Sequence, residues 1–277
     1  MAKSDFPYLH GFSKTEQDRL RRQARFWEYS IFEGINLSSS RNLLEVGCGV
    51  GANTEILLRR YPDIHVTGID INDAQISEAQ SYLPSLPYAE NRFKIEKMDA
   101  ANMEYDSNTF DAAFLCWVLE HVPDPARVLS EIRRVMRPGS RLIANEVMNH
   151  TFFLEPYSPN VWKVWMAFND FQYEHAGDPF VGAKLGNLLT AVGFRQVQTK
   201  IINLHLDNRN PGKRKEIIEF WTELLMSGRQ ALVDSELVTA QVFDQAMAEL
   251  KIVRKDPNAV FMYSFMQSTG RVINEDN

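Results

Sequence analysis

A glycine-rich segment at residues 45–51 carries the residue types that most clearly suggest chemistry. It runs Glu-Val-Gly-Cys-Gly-Val-Gly, follows a short apolar run and precedes a helical pattern that starts near Asn53. Gly47, Gly49 and Gly51 stand at alternate positions, where the lack of a side chain lets the backbone turn sharply and approach a ligand closely. The segment therefore predicts a loop that binds a nucleotide-like cofactor.

The charge beside this loop distinguishes between two kinds of cofactor. Residues 47–52 also match the dinucleotide pattern GxGxxA, in which the loop faces an anionic pyrophosphate. Glu45 places a carboxylate there, which disfavours a pyrophosphate and favours a ligand that carries a sulfonium and an ammonium group. S-adenosylmethionine is such a ligand, and we expect it as the cofactor. An NAD-dependent oxidoreductase is the less favoured alternative.

Acidic residues at the ends of later apolar runs suit the rest of a nucleoside. Asp70 lies near the spacing of about 20 residues at which an acidic side chain meets a ribose in such folds, and a carboxylate can accept from both hydroxyls of a diol. Asp99 can accept from the exocyclic amine of adenine, while Ile71 and Met98 can flank the ring. A helix cap at Asp70 and a plain turn at Asp99 are the structural alternatives.

A parallel sheet is needed to bring these residues together. Between residue 42 and about 147, short apolar runs alternate with helical patterns, which is typical of repeated βα units. The predicted strands are 42–46, 65–70, 92–98, 111–117 and 141–146, and the best-marked helix is 125–136 with Asp124 as its cap. Ligands of open parallel sheets bind at the carboxyl ends of the strands, where these acidic residues fall.

The flanking segments add helices and two more strands. Ser13 and Glu16 have the spacing of a capping box and predict a helix that runs to about Phe32. Residues 151–178 are aromatic-rich and are expected to be irregular. Further along, the predicted elements are a helix at 180–192, a strand at 194–206, a charged helical stretch at 213–255 and a buried strand at 260–267.

Five motifs in order resemble those of class I S-adenosylmethionine-dependent methyltransferases of the small-molecule type. They are residues 45–51, 68–71, 98–100, 110–121 and 137–139. The likeness is strong over residues 40–147 and looser at 180–206 and 258–268. It implies that Asp70 binds the ribose hydroxyls, that Ile71 packs on the adenine and that Asp99 and Ala100 lie where the adenine amino group is recognised. The cofactor set implied by the motifs is Glu45, Gly47, Cys48, Gly49, Gly51, Asp70, Ile71, Asp99, Ala100, Cys116 and His121.

The resemblance also implies an architecture. We expect an α/β, Rossmann-like sheet of seven strands, mostly parallel with an antiparallel last strand, and helices on both faces. An N-terminal helical cap at 1–36 precedes a methyltransferase domain at 37–277. Within that domain we expect a cofactor-binding core at 40–147, an acceptor or lid segment at 148–180 and a helical insertion at 207–257.

Methyl transfer from a sulfonium requires mainly that the acceptor atom be held about 3 Å from the methyl carbon, because the leaving group is already activated. A base is needed only if the acceptor must lose a proton. His121, Glu146 and His150 are the candidate catalytic residues, with His175 as a further histidine in the following segment. Whether oxygen, nitrogen or carbon is methylated stays open.

Eight aromatic residues between positions 152 and 173 predict an acceptor wall for a flat or apolar small molecule. Ordinary packing is the alternative, above all for Trp162, Trp165 and Phe168, which have helical spacing. Residues before and on the first helix are candidates to cover the site. The expected acceptor-binding residues are Tyr8, Phe12, Tyr29, Trp117, Phe152, Tyr157 and Trp165.

Composition limits the other partners. The chain has 277 residues and a net charge of −6, which disfavours a nucleic acid, and it lacks the (D/N)PPY motif of nucleobase amino methylation. The basic cluster at residues 19–25 is interpreted as a solvated helix face, with contact to an anionic acceptor such as a carboxylate or a diphosphate as the alternative. Two cysteines and six scattered histidines predict neither a disulfide framework nor a metal site.

The apolar runs are shorter than the roughly 18 residues that a membrane span needs, and the first residues lack the apolar stretch of a secretory signal, so we expect a cytoplasmic protein. A homodimer is left open. The main functional alternative to an enzyme is a non-catalytic, cofactor-binding scaffold of the same fold.

Overall fold

The computed structural model describes residues 11–273 and contains a central sheet with helices on both faces. The helices are α1 Lys14–Phe32, α2 Ala52–Arg60, α3 Asp73–Tyr82, α4 Pro125–Val135, α5 Pro159–Glu174, α6 Val181–Ala191, α7 Pro211–Ser227, α8 Arg229–Asp234 and α9 Ala240–Lys255. The strands are β1 Asn42–Val46, β2 His65–Asp70, β3 Phe93–Lys97, β4 Phe110–Cys116, β5 Met136–Val147, β6 Phe153–Glu155, β7 Arg195–Leu206 and β8 Val260–Arg271.

The sheet order is β3-β2-β1-β4-β5-β8-β6, and β7 pairs with the other edge of β8. Strands β1 to β5 run parallel to one another, whereas β8 is antiparallel to β5, β6 and β7. The predicted fold class is confirmed, with one strand more than expected. The short β6 pairs with residues 260–262 of β8, where β5 no longer reaches, and so extends the sheet along the same edge.

Two hydrophobic layers hold the helices to the sheet. Helices α1, α2, α5, α7 and α9 bury their apolar side chains on one face, and α4 and α6 bury theirs on the other. Helix α4 shows how the sequence specifies such an element. Asp124 caps it by accepting from the amide of Arg127 at 2.9 Å, Pro125 occupies the first turn, and Val128 and Ile132 lie on the buried face.

The segment at residues 151–178 corrects one expectation, because most of it is the 16-residue helix α5 rather than irregular chain. Aromatic and β-branched residues have modest helix propensity, and the start of α5 is stabilised from outside the segment. The carboxylate of Glu249, on α9, accepts from the amides of Asn160 at 2.9 Å and Val161 at 3.0 Å. A cap supplied by a residue so distant in sequence is invisible to local patterns.

The capping box predicted for α1 forms only in part. Ser13 accepts from the amide of Glu16 at 3.2 Å, as expected. The Glu16 carboxylate, however, binds the guanidinium of Arg19 through two hydrogen bonds of 2.5 and 2.7 Å, and both side chains are buried. The long helical stretch predicted at 213–255 is also divided, into α7, α8 and α9.

Gly182 provides a test of how closely α6 packs on β5. A methyl group at this position would lie 2.4 Å from the carbonyl oxygen of Glu146 and 2.6 Å from that of Val147, which is closer than real contacts allow. Gly182→Ala is expected to lower the free energy of unfolding by about 1–3 kcal/mol. The measurement is urea denaturation followed by circular dichroism.

The matched control is Gly212→Ala, in the first turn of α7, where a methyl group would meet no atom within 4 Å. This variant should match the wild type or exceed its stability by less than about 1 kcal/mol, since alanine is the better helix former. Equal stabilities of the two variants would contradict the packing described.

Candidate active site

A cavity of about 1310 Å³ opens at the carboxyl ends of β1, β2, β3 and β4, beneath α1 and beside α5 and α7. A cavity that holds one drug-sized ligand usually measures roughly 300–1,000 Å³, so this one has room for two adjacent small molecules. The residues expected to bind the cofactor lie at one end, and a group of aromatic side chains lies at the other.

The glycine loop after β1 adopts the conformation that its sequence predicts. Gly47, Gly49 and Gly51 have φ angles of 67°, 51° and 76°, a region that residues with side chains rarely occupy. A methyl group at Gly47 would lie 2.4 Å from Cγ2 of Val118, on the chain that follows β4. Gly47, Cys48 and Gly49 line the cavity, whereas Gly51 packs against Leu83.

Asp70 connects the glycine loop to the end of β2. One carboxylate oxygen accepts from the amide of Gly49 and the other from the amide of Asn72, each at 2.9 Å. Burial raises the pKa of Asp70 above its ordinary value, and these amides oppose the rise. Asp70 lines the cavity together with the other residues predicted at the β2 and β3 ends, which are Ile71, Met98, Asp99 and Ala100.

Glu45 does not have the position that the charge argument gave it. Its side chain is buried, is not part of the cavity wall and accepts from the hydroxyl of Thr54 at 2.5 Å. Burial, partly opposed by that hydrogen bond, raises the pKa of Glu45 to about 8, so the group is largely neutral at pH 7. Side chains alternate across a strand, so Glu45 points to the same face of the sheet as Leu43, where it meets Thr54 of α2.

Glu146 is likewise not a base exposed to substrate. It is fully buried, and its Oε1 accepts from the amides of Val118 at 3.1 Å and Leu119 at 2.9 Å. Burial, with a contribution from the charge of Glu120, raises the pKa of Glu146 to about 8. Through these bonds Glu146 holds the segment after β4 in place, so it is a positioning residue.

His150 is exposed and faces Phe180, outside the cavity wall, because the turn at Asn149–Thr151 directs Asn149 inward instead.

The segment after β4 contributes polar groups to the middle of the cavity. Cys116, Trp117, Glu120 and His121 all line it. Nε2 of His121 lies 3.3 Å from Oε1 of Glu120, and Nε2 of Gln172, on α5, donates to the second Glu120 oxygen at 3.4 Å. His121 is also near enough to Asp70 to stabilise its carboxylate electrostatically, which places it between the two ends of the cavity.

Cys116 and Cys48 are buried free thiols whose pKa burial raises well above the usual range. A thiol with a raised pKa forms little thiolate at neutral pH and is a poor nucleophile. Both cysteines therefore serve as small wall residues.

Only some of the aromatic residues that were expected to bind the acceptor line the cavity. Trp117 and Trp165 line it as predicted, as does Phe12 at the entrance of α1. Phe152 packs in the core behind the wall, stacked on Trp221 with ring centroids 5.2 Å apart. Tyr157 is 71% exposed and lies outside the cavity wall.

Tyr29 is 73% exposed and also lies off the wall, since it follows the inward-facing Trp27 by two residues, which on a helix is the opposite side. Tyr8 lies outside the described residues.

Several wall residues were not predicted from the sequence. They come from α5, α7 and β8, and they are Gln172, Phe220, Trp221, Leu224 and Tyr263, together with Arg19, Leu20 and Trp27 of α1. Phe168, one of the eight aromatic residues of the predicted wall, lines the cavity as well. A local signal existed for α7, whose apolar residues Ile217, Ile218, Trp221 and Leu225 recur at helical spacing. That pattern shows a buried face but does not show that the face meets a cavity.

The basic cluster of α1 is paired rather than simply solvated. Besides the buried pair of Arg19 and Glu16, Arg21 pairs with Glu78, Arg22 with Glu223 at 2.9 Å, and Arg25 with Glu55 at 3.7 Å. These pairs attach α1 to α2, α3 and α7, around the cavity that it covers. Over residues 11–273, none of the helices has the length and apolar character of a membrane span.

Comparison with known proteins finds that this chain is similar to methyltransferases. A family model described as a methyltransferase domain matches residues 44–144. The O-methyltransferase cnsE of Penicillium expansum is 34% identical over 185 residues, which cover 65% of this chain and 59% of that protein. The sterol 24-C-methyltransferase ERG6B of Gibberella zeae is 32% identical over 112 residues, 40% of this chain and 29% of that protein. The chain thus spans less than two thirds of these relatives.

Among solved structures, that of the 4+2 cyclase SpnF superposes with a TM-score of 0.55 and 20% identity, covering 93% of this chain and 82% of that one. At this identity the likeness shows the shared fold alone.

The raised pKa of Glu146 predicts how stability depends on pH. The carboxyl of Glu146 releases its proton near pH 4.5 in the unfolded chain and near pH 8 in the folded protein. Between these pH values the folded state binds more protons than the unfolded state. The contribution of Glu146 to stability therefore falls as pH rises. Glu146→Gln keeps an oxygen that can accept from Val118 and Leu119 and removes the titration. Its free energy of unfolding, measured in urea, should rise relative to wild type from pH 5 to about 8 and then level off.

Glu219→Gln, at an exposed position of α7, serves as the control and should follow the wild type throughout this range. A constant difference between Glu146→Gln and wild type across the same pH values would contradict the titration assigned to Glu146.

Proposed function

We propose that this chain, which carries a class I S-adenosylmethionine-dependent methyltransferase domain, methylates a small aromatic or apolar molecule. The predicted family is confirmed by the domain match over residues 44–144. The observation that carries the proposal is that the glycine loop and Asp70 line the same cavity as a wall of aromatic side chains. A cofactor bound at the loop then presents its reactive group to a molecule bound against the aromatic rings.

The residues at the cofactor end fit S-adenosylmethionine, which supplies an activated methyl group when bound. Asp70 accepts from the ribose hydroxyls, Asp99 from the adenine amine, and Ile71, which is 55% exposed beside the cavity, covers the ring. Asn53 and Gln75 line the cavity, and two of their buried atoms, Oδ1 and Oε1 respectively, lack a hydrogen-bond partner among the described residues. Buried acceptors of this kind are normally satisfied, so they suit a ligand that carries donors.

His121 is the residue that takes a proton from the acceptor. Glu120 lies 3.3 Å from Nε2 of His121 and orients the imidazole in the middle of the cavity. Gln172 holds the other oxygen of Glu120 and keeps the pair oriented. The base is needed for a hydroxyl or protonated amine and not for a nucleophilic carbon.

We further propose the division of the chain that the sequence suggests. Residues 1–36 form a helical cap, and residues 37–277 form the methyltransferase domain. The division is supported by α1, which covers the cavity through Leu20 and Trp27 and is attached by ion pairs to helices of the larger part.

A protein of this fold that binds the cofactor without transferring the methyl group is the competing function. SpnF, which is named as a cyclase, shows that the fold is not restricted to one reaction. The His121–Glu120 pair favours an enzyme, because a pure binding protein does not need a base between its two ligands.

Asp70→Ala tests the cofactor site. Removing the carboxylate deletes the acceptor for both ribose hydroxyls and the bond to the amide of Gly49, so S-adenosylhomocysteine binding should weaken at least about 100-fold. Isothermal titration calorimetry measures it. Asp63→Ala, at an exposed position after α2, is the control and should bind like wild type. An unchanged affinity in Asp70→Ala would overturn the site assignment.

His121→Gln tests the proposed base. With any hydroxyl acceptor that the wild type methylates, kcat should fall by about 100-fold or more at pH 7. The loss should shrink as pH rises and the acceptor ionises by itself. His205→Gln, on the exposed strand β7, is the matched control. A variant with wild-type kcat and pH profile would exclude His121 as the base.

A further inference from the structure

We propose that the acceptor is an elongated aromatic molecule with two oxygen functions, one held near His121 and Gln172 and the other bound by Trp221 at the far end of the cavity. The inference rests on the proposed function and adds a subsite and a substrate class to it. It starts from polar atoms of the acceptor end that the protein leaves unsatisfied.

Most polar atoms of the aromatic wall have partners. Nε1 of Trp165 donates to the carbonyl oxygen of Asn149 at 3.0 Å, and the hydroxyl of Tyr263 donates to Oδ1 of the same asparagine at 2.8 Å. Nδ2 of Asn149 in turn donates to Asn169 at 2.8 Å. These groups bond to one another, so their hydrogen-bonding atoms are already paired within the protein.

Three wall residues differ from these. Trp221 and Gln172 are each only 3% exposed, yet Nε1 of Trp221 and Oε1 of Gln172 have no hydrogen-bond partner among the described residues. Nε1 of Trp117, at the end of β4, is unsatisfied in the same sense. A buried polar atom without a partner costs stability, so its persistence in a cavity wall points to a ligand that completes it.

The unsatisfied atoms lie at two separate places. Trp221 packs on Phe261 and Tyr263 of β8, with ring centroids 5.1 and 5.0 Å apart, whereas Trp117 packs on Phe265 at 5.9 Å. These three residues alternate along one face of β8, where each step of two residues advances about 7 Å. Trp221 is therefore displaced along the strand from the end where the reaction takes place.

Helix α5 gives an independent measure of the same separation. Trp221 packs on Trp165, with centroids 4.9 Å apart, while Gln172 lies on the same helical face two turns further on. Seven residues of α-helix advance about 10 Å. Phe168 lies between them, stacked on Trp165 at an interplanar angle of 16°. The wall between the two polar places is thus made of flat rings.

A molecule that satisfies both places has two or three rings in a row and an oxygen at each end. The indole N–H of Trp221 donates to a hydroxyl or carbonyl oxygen at the far end. At the near end, the hydroxyl donates its one proton to His121. Saturated chains fill such a space but do not match the stacked rings.

Matched biphenyls test the inference. Protein saturated with S-adenosylhomocysteine is titrated with para-hydroxybiphenyl and with para,para′-dihydroxybiphenyl, and Kd is measured by calorimetry. Wild type should bind the dihydroxy compound about tenfold more tightly or better, because its second oxygen satisfies a buried donor. Trp221→Phe, which keeps a ring and removes the N–H, should reduce this preference to about twofold or less.

Trp162→Phe is the matched control, since Trp162 packs on Phe152 in the same aromatic cluster but does not line the cavity. It should retain the full preference. Equal affinities of wild type for the two biphenyls, or no binding of either to protein that holds S-adenosylhomocysteine, would overturn the two-oxygen acceptor. Failure of S-adenosylhomocysteine itself to bind would instead overturn the proposed function.

Discussion

The close approach of the glycine loop to the segment after β4 is the constraint on which the site depends. Val118 occupies the space that a side chain at Gly47 would need, and Glu146 holds the amides of Val118 and Leu119 from the other side. The segment is therefore fixed between two strand ends. This position brings Trp117 and His121 to the boundary between the cofactor end and the aromatic end, so the packing of a loop determines where chemistry can take place.

Burial gives the carboxyl groups of this region different roles. Glu45 and Glu146 are enclosed, have pKa values of about 8 and act through hydrogen bonds inside the protein. Asp70 faces the cavity and accepts from two backbone amides, which favour its charged form. Negative charge beside the cationic cofactor thus comes from the end of β2, and the acidity of the motif before the glycine loop is structural.

Local patterns predicted the cofactor half of the molecule well and the acceptor half poorly. The bounds of β1 and β2 match the predicted ones, because apolar runs followed by glycine or aspartate are signals within a few residues. Helix α5 and the wall residue Trp221 were missed for a common reason. Glu249 completes the start of α5 from α9, and Trp221 meets Trp165 from a distant helix, so both depend on contacts that no sequence window contains. Tyr29 and Tyr157 were expected at the site by residue type, and type alone does not say which way a side chain faces.

The central claim is that the glycine loop and Asp70 hold a sulfonium cofactor and not a dinucleotide. Calorimetric titration of the intact chain with S-adenosylmethionine and, separately, with NADH tests it most directly. The account predicts one S-adenosylmethionine bound per chain and no heat of binding with NADH. Binding of NADH without binding of S-adenosylmethionine would contradict it.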